Sequence, residues 1–171
     1  MVTLETERLV LRPFSEQDLD AYAAMTADTV VMRYVTDGRP LSRSEAWRQM
    51  AMFLGHWDLR GYGLWAAIEK ASGTFIGRIG LWNPEGWPGL EVGWLLGRDF
   101  WGKGLATEGG RASIEYAFNV LDADHILSVI HPANAASIRV AEKLGAHFER
   151  TAVVNGVDVV IYGQRLPGRV S

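Results

Sequence analysis

The glycine-rich stretch at residues 97–108 contains the residues best suited to bind an anionic ligand. It follows an apolar, strand-like run at 90–96, and a helical pattern of apolar residues begins directly after it. A helix that starts after glycines presents free backbone N–H groups, and its macrodipole favours negative charge at that end. Because Gly102 and Gly104 carry no Cβ, the backbone there can approach an oxygen-rich group closely. The pattern predicts a phosphate or pyrophosphate site.

Two common phosphate-binding motifs share these glycines, and each fails at a particular residue. The run from Gly97 to Lys103 begins like a Walker A loop, but Gly104 stands where a Ser or Thr hydroxyl must hold Mg²⁺. The run from Gly102 begins like a dinucleotide-binding fingerprint, but Thr107 replaces its third glycine. That fingerprint also belongs in the first strand–helix turn of its fold, whereas this loop lies past the middle of the chain. Both nucleotide readings are therefore disfavoured.

A third motif, the pyrophosphate loop of the GNAT acetyltransferases, fits the loop better. The run Trp101-Gly102-Lys103-Gly104-Leu105-Ala106-Thr107-Glu108, preceded by Glu91-Val92-Gly93-Trp94, resembles the RimJ/RimL-type branch of that superfamily. Three further stretches are similar to the same branch in the same chain order, at residues 6–13, 134–145 and 158–162. Together the four stretches cover essentially the whole chain.

The resemblance implies a fold and a reaction. The expected fold is α/β (α+β), with a central, mostly antiparallel mixed sheet of about six to seven strands and about four flanking helices. The fourth and fifth strands are expected to splay apart and admit acetyl-CoA. The implied reaction is N-acetylation of a primary amine, on a protein N-terminus or a small molecule, by direct attack in a ternary complex. The alternative is a catalytically silent acyl-CoA-binding module.

Most residues expected to contact acetyl-CoA lie in or beside the glycine loop. Its backbone N–H groups are expected to bind the pyrophosphate, with Lys103 nearby as a charge partner. The resemblance implies that the backbone at the end of the fourth strand pairs with the pantetheine arm and holds the thioester oxygen. It also implies an Asn-x-x-Ser pair near the sulfur, although the Asn equally suits a helix cap. The expected cofactor-binding residues are Leu95, Leu96, Trp101, Gly102, Lys103, Gly104, Leu105, Ala106, Thr107, Asn134 and Ser137.

The chain departs from many GNAT enzymes at two catalytic positions. Ala141 stands where many carry a tyrosine general acid, and Val129 where some carry a glutamate base. The amine must lose a proton before it attacks, because alkylammonium pKa values lie at about 8–10. Glu91, a charge inside an apolar strand, is a candidate base, and His131 and Asp158 are the alternatives. The expected catalytic residues are Glu91, Ser137 and Tyr162, of which Tyr162 either protonates the leaving thiolate or anchors the core.

Aromatic residues provide candidates for the acceptor site. Seven tryptophans are many for a chain of this length, and most are expected in the core. Two of them flank a loop rich in Pro and Gly at 83–89, where aromatic walls would suit a cationic amine. The expected acceptor-binding residues are Tyr34, Trp82, Trp87 and His131.

Composition limits the class of protein. The chain has 171 residues, 48% of them hydrophobic, which fits a single domain spanning residues 1–171. The net charge is −3 with scattered basic residues, so nucleic acid is not an expected partner. Cysteine is absent, and neither a disulfide nor a metal site is expected. No signal peptide or membrane span is apparent, which predicts a cytoplasmic protein. Relatives in the resembled branch are often homodimers.

Capping and turn signals predict the elements that carry these residues. Ser15-x-x-Asp18 and Ser42-x-x-Glu45 predict the starts of helices that run to about residue 27 and over about 43–59. Asn155-Gly156 predicts the type I′ turn of a closing hairpin. Further strands are predicted at 9–11, 64–69, 74–81, 90–96 and 125–130, and further helices near 105–120 and 135–144.

Overall fold

The computed structural model describes residues 1–165, whose eight strands form one open sheet in the order β1-β2-β3-β4-β5-β6-β8-β7. Every neighbouring pair is antiparallel except β5 and β6, which are parallel. The strands are β1 (Leu4–Glu5), β2 (Leu9–Arg12), β3 (Leu64–Glu69), β4 (Thr74–Trp82), β5 (Glu91–Leu96), β6 (His125–Ile130), β7 (His147–Val154) and β8 (Val157–Arg165).

Five α-helices flank this sheet within the described residues. They are α1 (Leu19–Thr26), α2 (Thr29–Met32), α3 (Arg43–Arg60), α4 (Leu105–Asn119) and α5 (Ala135–Lys143). The mixed α/β fold is confirmed, with one strand and one helix more than expected. The additional elements, β1 and α2, span only two and four residues, too short to show a periodic pattern in the sequence. No helix in residues 1–165 has the length and apolar character needed to cross a membrane.

The local signals in the sequence act largely as predicted. A capping box formed by Ser42 and Glu45 precedes α3. A second box joins Ser15 to Asp18, but it opens a 3-10 turn ahead of α1, and Asp18 also pairs with Arg12 at 2.6 Å. In the closing hairpin, both residues of Asn155-Gly156 have positive φ, at 50° and 78°, as a type I′ turn requires.

The two faces of the sheet pack against different helices. One apolar cluster contains Leu105 and Ile114 of α4, and a second contains Tyr22 of α1 and Phe53 of α3. Side chains alternate between faces along a strand, so even-numbered residues of β5 lie on the side of α4 and α5, and odd-numbered residues on the side of α1–α3. These sides are called the α4–α5 face and the α1–α3 face below.

The expected splay lies between β5 and β6, the fourth and fifth strands of the sequence prediction. The two strands share a single register pair, Glu91 with Leu127, and the N–H of Leu127 donates to the carbonyl of Leu90 at 2.9 Å. Beyond this pair the strands diverge toward their carboxyl ends, where the glycine loop follows β5. The predicted splay is confirmed.

Two side chains end the ladder at the point of divergence. In a regular parallel ladder, the N–H of Val129 would next bond to the carbonyl of Val92. Instead, the N–H of Val129 donates to Oε1 of Glu91 at 3.3 Å. The carbonyl of Val92 accepts from the hydroxyl of Ser128 at 2.8 Å. A carboxylate and a hydroxyl therefore satisfy the backbone groups that the separating strands no longer satisfy for each other.

Candidate active site

The loop between β5 and α4 has the backbone geometry of an anion site. Gly102 and Gly104 have φ of 72° and 79°, which glycine adopts easily and other residues rarely adopt. Gly104 directly precedes α4, and no side chain caps this end of the helix. The first N–H groups of α4 therefore lack intrahelical partners and can donate to a bound anion.

Two predicted cofactor contacts are exposed side chains next to the glycines: Trp101 precedes Gly102, and Lys103 lies between Gly102 and Gly104. Trp101 is 47% exposed, and its indole N–H donates to the carbonyl of Leu96 at 2.7 Å, which ties the loop to the end of β5. The ammonium of Lys103 lies 5.3 Å from the ring centre of Phe100, and Lys103 takes part in none of the ion pairs within residues 1–165. Its charge is therefore available to a phosphate group.

The first turn of α4 completes this region. Leu105 is buried, and Ala106 and Thr107 are partly buried. Thr107 and Gly104 line a cavity of about 500 Å³, whose lining also includes the basic side chains of Arg111 and Lys143 and four glutamates.

A clasp from the N-terminal strand, which sequence reasoning missed, holds the glycine loop. The guanidinium of Arg8 donates to the carbonyl of Lys103 at 2.9 Å and to Glu108 at 2.6 Å. Burial would raise the pKa of Glu108, but hydrogen bonds from Thr6 and Arg8 bring that pKa below its usual value. Arg8 and Glu108 both lie in stretches that carry the family resemblance. Their presence together in those stretches was the signal in the sequence that could have indicated this contact.

Only alternate residues of β5 direct their backbone N–H and C=O groups toward the gap. The N–H of Gly97 donates to the carbonyl of Ile76 in β4 at 2.9 Å, so odd-numbered residues of β5 bond to β4. The backbone groups of Trp94 and Leu96 therefore point toward β6. The sequence prediction named Leu95 and Leu96 for this edge. In this register Trp94 takes the place of Leu95, whose backbone bonds to β4 and whose side chain is buried on the α1–α3 face.

The α4–α5 face brings three predicted residues together. The indole N–H of Trp94 donates to the hydroxyl of Ser137 at 3.3 Å. The side chain of Asn134 accepts from the backbone N–H of Ser137 at 3.1 Å, so Asn134 has the capping role that was its alternative reading. Tyr162 of β8 packs in the same apolar cluster as Trp94. Ser137 therefore contacts the indole of Trp94 directly, and Tyr162 packs against the same apolar cluster as Trp94.

Glu91 projects from the opposite, α1–α3 face. Its Oε2 accepts from the indole N–H of Trp87 at 2.8 Å. Burial raises the pKa of Glu91 to about 7, against the opposing effects of the bonds from Trp87 and Val129 and of the charge on Arg78. Gly93 is next along this face, and a Cβ there would have only atoms of Glu91 within 4 Å. The carboxyl group therefore borders an open space above Gly93.

Of the four predicted acceptor residues, Trp87 bonds to Glu91 as described above, and the other three separate into two groups. Trp82 stacks on His56, with ring centres 4.4 Å apart, and meets Phe53 edge-on, so it packs against α3. The rings of Tyr34 and His131 lie 5.1 Å apart, which joins the loop after α2 to the end of β6. The structure therefore brings Tyr34 and His131 together and leaves Trp82 in the packing of α3.

A cavity of about 450 Å³ opens beside His131. It is lined by the loop after α2, including Arg33 and Asp37, and by Asp158 next to the β7–β8 turn. Thr36 in the same lining has φ of 51°, a strained conformation for a β-branched residue. Backbone strain of this kind is concentrated at ligand-binding and catalytic sites. Within residues 1–165, no three His, Asp or Glu side chains converge as a metal ion would require.

An uncapped helix start after a glycine loop, next to a parallel strand pair that separates after one register pair, defines an acetyltransferase-type α/β fold. The chain belongs to the GNAT acetyltransferase family, because the family model of the acetyltransferase (GNAT) domain matches residues 8–147. The family predicted from the residue motifs is confirmed.

Individual relatives agree with this assignment. The chain is 31% identical to YkkB of Bacillus subtilis (strain 168) over 170 residues, which cover 95% of each chain. It superposes on the acetyltransferase from Agrobacterium tumefaciens str. C58 with a TM-score of 0.87 and 30% identity, over 97% of this chain and 95% of the other. RimL, the ribosomal L7/L12 α-N-protein acetyltransferase solved in complex with coenzyme A, superposes with a TM-score of 0.80. That match covers 98% of this chain and 100% of RimL at 18% identity, and it shows a common fold.

Proposed function

We propose that the protein is an acetyl-CoA-dependent N-acetyltransferase that acetylates a primary amine. The observation that carries the proposal is the gap between β5 and β6, because it joins a helix start suited to an anion to a partly buried carboxyl group on the other face. Membership of the GNAT family makes acetyl transfer the expected chemistry.

The glycine loop and the edge of β5 fit acetyl-CoA. The N–H groups at 102–107 bind the pyrophosphate, and the exposed ammonium of Lys103 offsets its negative charge. The pantetheine arm lies along the edge formed by Trp94 and Leu96 as an added strand. An N–H of this edge donates to the thioester oxygen as negative charge develops on it.

Glu91 is the proposed general base. The amine nitrogen forms a bond to the thioester carbon, the carbon–sulfur bond breaks, and the amine loses a proton to Glu91 directly or through water. A base works best when its pKa lies near the working pH, and burial brings the pKa of Glu91 to about 7. Without cysteine, the chain offers no thiol nucleophile, which favours direct attack in a ternary complex.

The leaving thiolate takes a proton on the α4–α5 face. Ala141, where many GNAT enzymes carry a tyrosine, is fully buried in the same apolar cluster as Tyr162. Tyr162 therefore supplies a phenol to the cluster in which Ala141 replaces the usual tyrosine. It is the proposed proton donor to the leaving thiolate. Ser137, bonded to Trp94, is proposed to orient the sulfur end of the arm.

The acceptor enters from the α1–α3 side. The cavity beside His131 is lined by two carboxylates, Asp37 and Asp158, against one cation, Arg33, and this balance of charge favours an ammonium group. Tyr34, whose ring lies 5.1 Å from that of His131 in a tilted arrangement, forms an aromatic wall of this entrance. RimL acts on a ribosomal protein α-amine, and the acceptor here is either such an α-amine or a small-molecule amine.

An acceptor panel tests the proposal. The purified protein is mixed with acetyl-CoA and primary amines, including a peptide α-amine, and the release of free thiol is measured with the mass of the acceptor. Acceptor-dependent thiol release with acetylated amine is expected. Thermal shift gives the control, because a ligand at a hundredfold excess over its Kd stabilises the fold by about 2.7 kcal/mol. Acetyl-CoA should raise the Tm and ATP with Mg²⁺ should not. A clear shift without thiol release from any amine would instead support a silent acyl-CoA-binding module.

A further inference from the structure

Arg78 is a half-buried cation without a carboxylate partner. It lies in β4, directly opposite Leu95 of β5, on the α1–α3 face. Its guanidinium lies 5.3 Å from the ring centre of Phe53, and it acts on the hydroxyl of Tyr22, whose pKa burial raises and this cation lowers. None of the ion pairs within residues 1–165 includes Arg78, and its Nε is buried with no hydrogen-bond partner.

Arg12 provides a comparison on the neighbouring part of the sheet. It is also half-buried, and both of its terminal nitrogens donate to the carboxylate of Asp18, at 2.8 and 2.6 Å. Burying an arginine is ordinarily compensated in this way, because an unpaired guanidinium loses hydration and gains no partner. Arg78 lies near the hydroxyl of Tyr22, the ring of Phe53 and, at longer range, the charge of Glu91, but within residues 1–165 no carboxylate forms an ion pair with it. A bound anion would supply this missing partner.

The surroundings of Arg78 place this anion next to the reaction centre. Arg78 and Glu91 lie on the same face, and the cross-strand pair between them, Gly80 with Gly93, has no side chains. Arg78 lies level with Leu95, whose neighbours in β5 provide the proposed thioester-binding edge. Leu95 lies four positions along the strand from Glu91, which places their Cα atoms roughly 13 Å apart, and the long side chains of Arg78 and Glu91 shorten the distance between the charged ends.

We propose that Arg78 binds a carboxylate of the acceptor, so that the substrate class is amines that also carry a carboxylate, such as amino acids. The inference rests on the proposed function and narrows it. A guanidinium donates two parallel N–H bonds to the two oxygens of a carboxylate in a forked, bidentate geometry, and its positive charge balances the single negative charge of the carboxylate. With the carboxylate on Arg78, the amine is directed toward Glu91 over the open space at Gly93. The missing partner of Arg78 is then part of the substrate.

The test compares each amine as the free carboxylate and as its carboxamide, which keeps the shape and removes the charge. Wild type should favour the carboxylate. Arg78→Met should lower kcat/KM for the carboxylate by about 10- to 100-fold, the usual effect of losing a charged hydrogen-bonded contact, and change the carboxamide little. Arg78→Lys, which keeps the charge and loses the fork, should fall between. Arg48→Met, an exposed position on α3, is the matched control and should alter neither substrate.

Two further measurements separate this inference from general damage and from failure of the proposed function. The Tm of Arg78→Met should stay close to that of wild type, because the variant breaks no ion pair within residues 1–165 and the Met side chain still packs against Phe53. Calorimetric binding of the same amine pairs to the CoA-loaded protein gives a result even if no acetyl group is transferred. A carboxylate preference in wild type that disappears in Arg78→Met supports the inference. An equal carboxylate-to-carboxamide ratio in wild type and Arg78→Met, in binding or in turnover, overturns it.

Discussion

At the β5–β6 gap, the two faces of the sheet provide different kinds of contact for the proposed ligands. On the α4–α5 side, the proposed cofactor contacts are mainly backbone groups: the start of α4 and the free edge at Trp94 and Leu96. On the α1–α3 side, the contacts are charged side chains held in a partly buried setting, Glu91 and Arg78. Backbone contacts depend on local conformation and survive most side-chain changes. The side-chain contacts depend on individual residues, and they are where acceptor specificity can change while the fold and the cofactor site stay constant.

The largest expected effect follows from removing the proposed base on the α1–α3 face. Glu91→Gln keeps the size of the side chain and removes the base, so kcat should fall by about 10²- to 10⁴-fold near pH 7. The loss should shrink as pH approaches the pKa of the amine, because bulk water then supplies the neutral nucleophile. A pH profile of kcat/KM for wild type and variant measures this. A loss that stays uniform across pH would mean that Glu91 holds the strands or the substrate and is not the base.

The next expected effect concerns the glycine loop, where a change of backbone conformation should weaken cofactor binding. Gly104→Val should weaken acetyl-CoA binding by about 100-fold or more, because φ of 79° and a close backbone approach both exclude a branched side chain. Gly61→Val is the matched control: Gly61 has φ of 75° at the end of α3, so it carries similar backbone strain far from the loop. The control should lower the Tm and leave the Kd for acetyl-CoA unchanged. Equal Kd values in wild type and Gly104→Val would contradict the pyrophosphate placement.

The buried carboxyl group should also appear in the pH dependence of stability. The pKa of Glu91 is raised in the folded protein to about 7 from 4.5, so the folded state binds this proton more tightly than the unfolded state. The resulting stabilisation is present below pH 4.5 and is lost as pH rises to about 7, by up to about 3 kcal/mol. Urea unfolding at several pH values should show this difference between wild type and Glu91→Gln. Parallel stability curves for the two proteins would contradict the raised pKa.

The smallest expected effect concerns the hydroxyl on the α4–α5 face. Ser137→Ala removes the acceptor for the indole N–H of Trp94 and should lower kcat by about three- to tenfold, on the scale of one neutral hydrogen bond. The Kd for CoA should change less than kcat, because the pyrophosphate contacts are untouched. Steady-state turnover assays measure kcat, and isothermal calorimetry measures the Kd for CoA. A loss of affinity alone would make Ser137 a binding residue only.

Features governed by local sequence were predictable. The glycine loop, the capping box at Ser42 and the Asn155-Gly156 turn follow from conformational preferences of a few adjacent residues. The order of the long strands and helices followed from the motifs. The short elements β1 and α2 had no pattern long enough to be recognised.

Features that depend on distant pairing were not predictable from one sequence. Trp87 was predicted to line the acceptor pocket, and nothing in its sequence context indicated that its indole N–H would donate to the carboxylate of Glu91. The clasp between Arg8 and Glu108 joins residues 100 positions apart, and the unpaired state of Arg78 is visible only once its neighbours are known. The same limit explains Leu95, because which backbone groups face the gap depends on the register with β4.

A crystal structure with a bisubstrate analogue, in which CoA sulfur is joined through an acetyl linker to the amine of an acceptor, tests the central claim most directly. The expected result has the pyrophosphate at 102–107, the arm along Trp94 and Leu96, and the linker passing through the β5–β6 gap to the carboxyl group of Glu91. The amine-bearing half should then lie on the α1–α3 face and the CoA half on the α4–α5 face. An analogue bound with both halves on one face, or with its linker remote from the gap, would contradict the proposed division of the site.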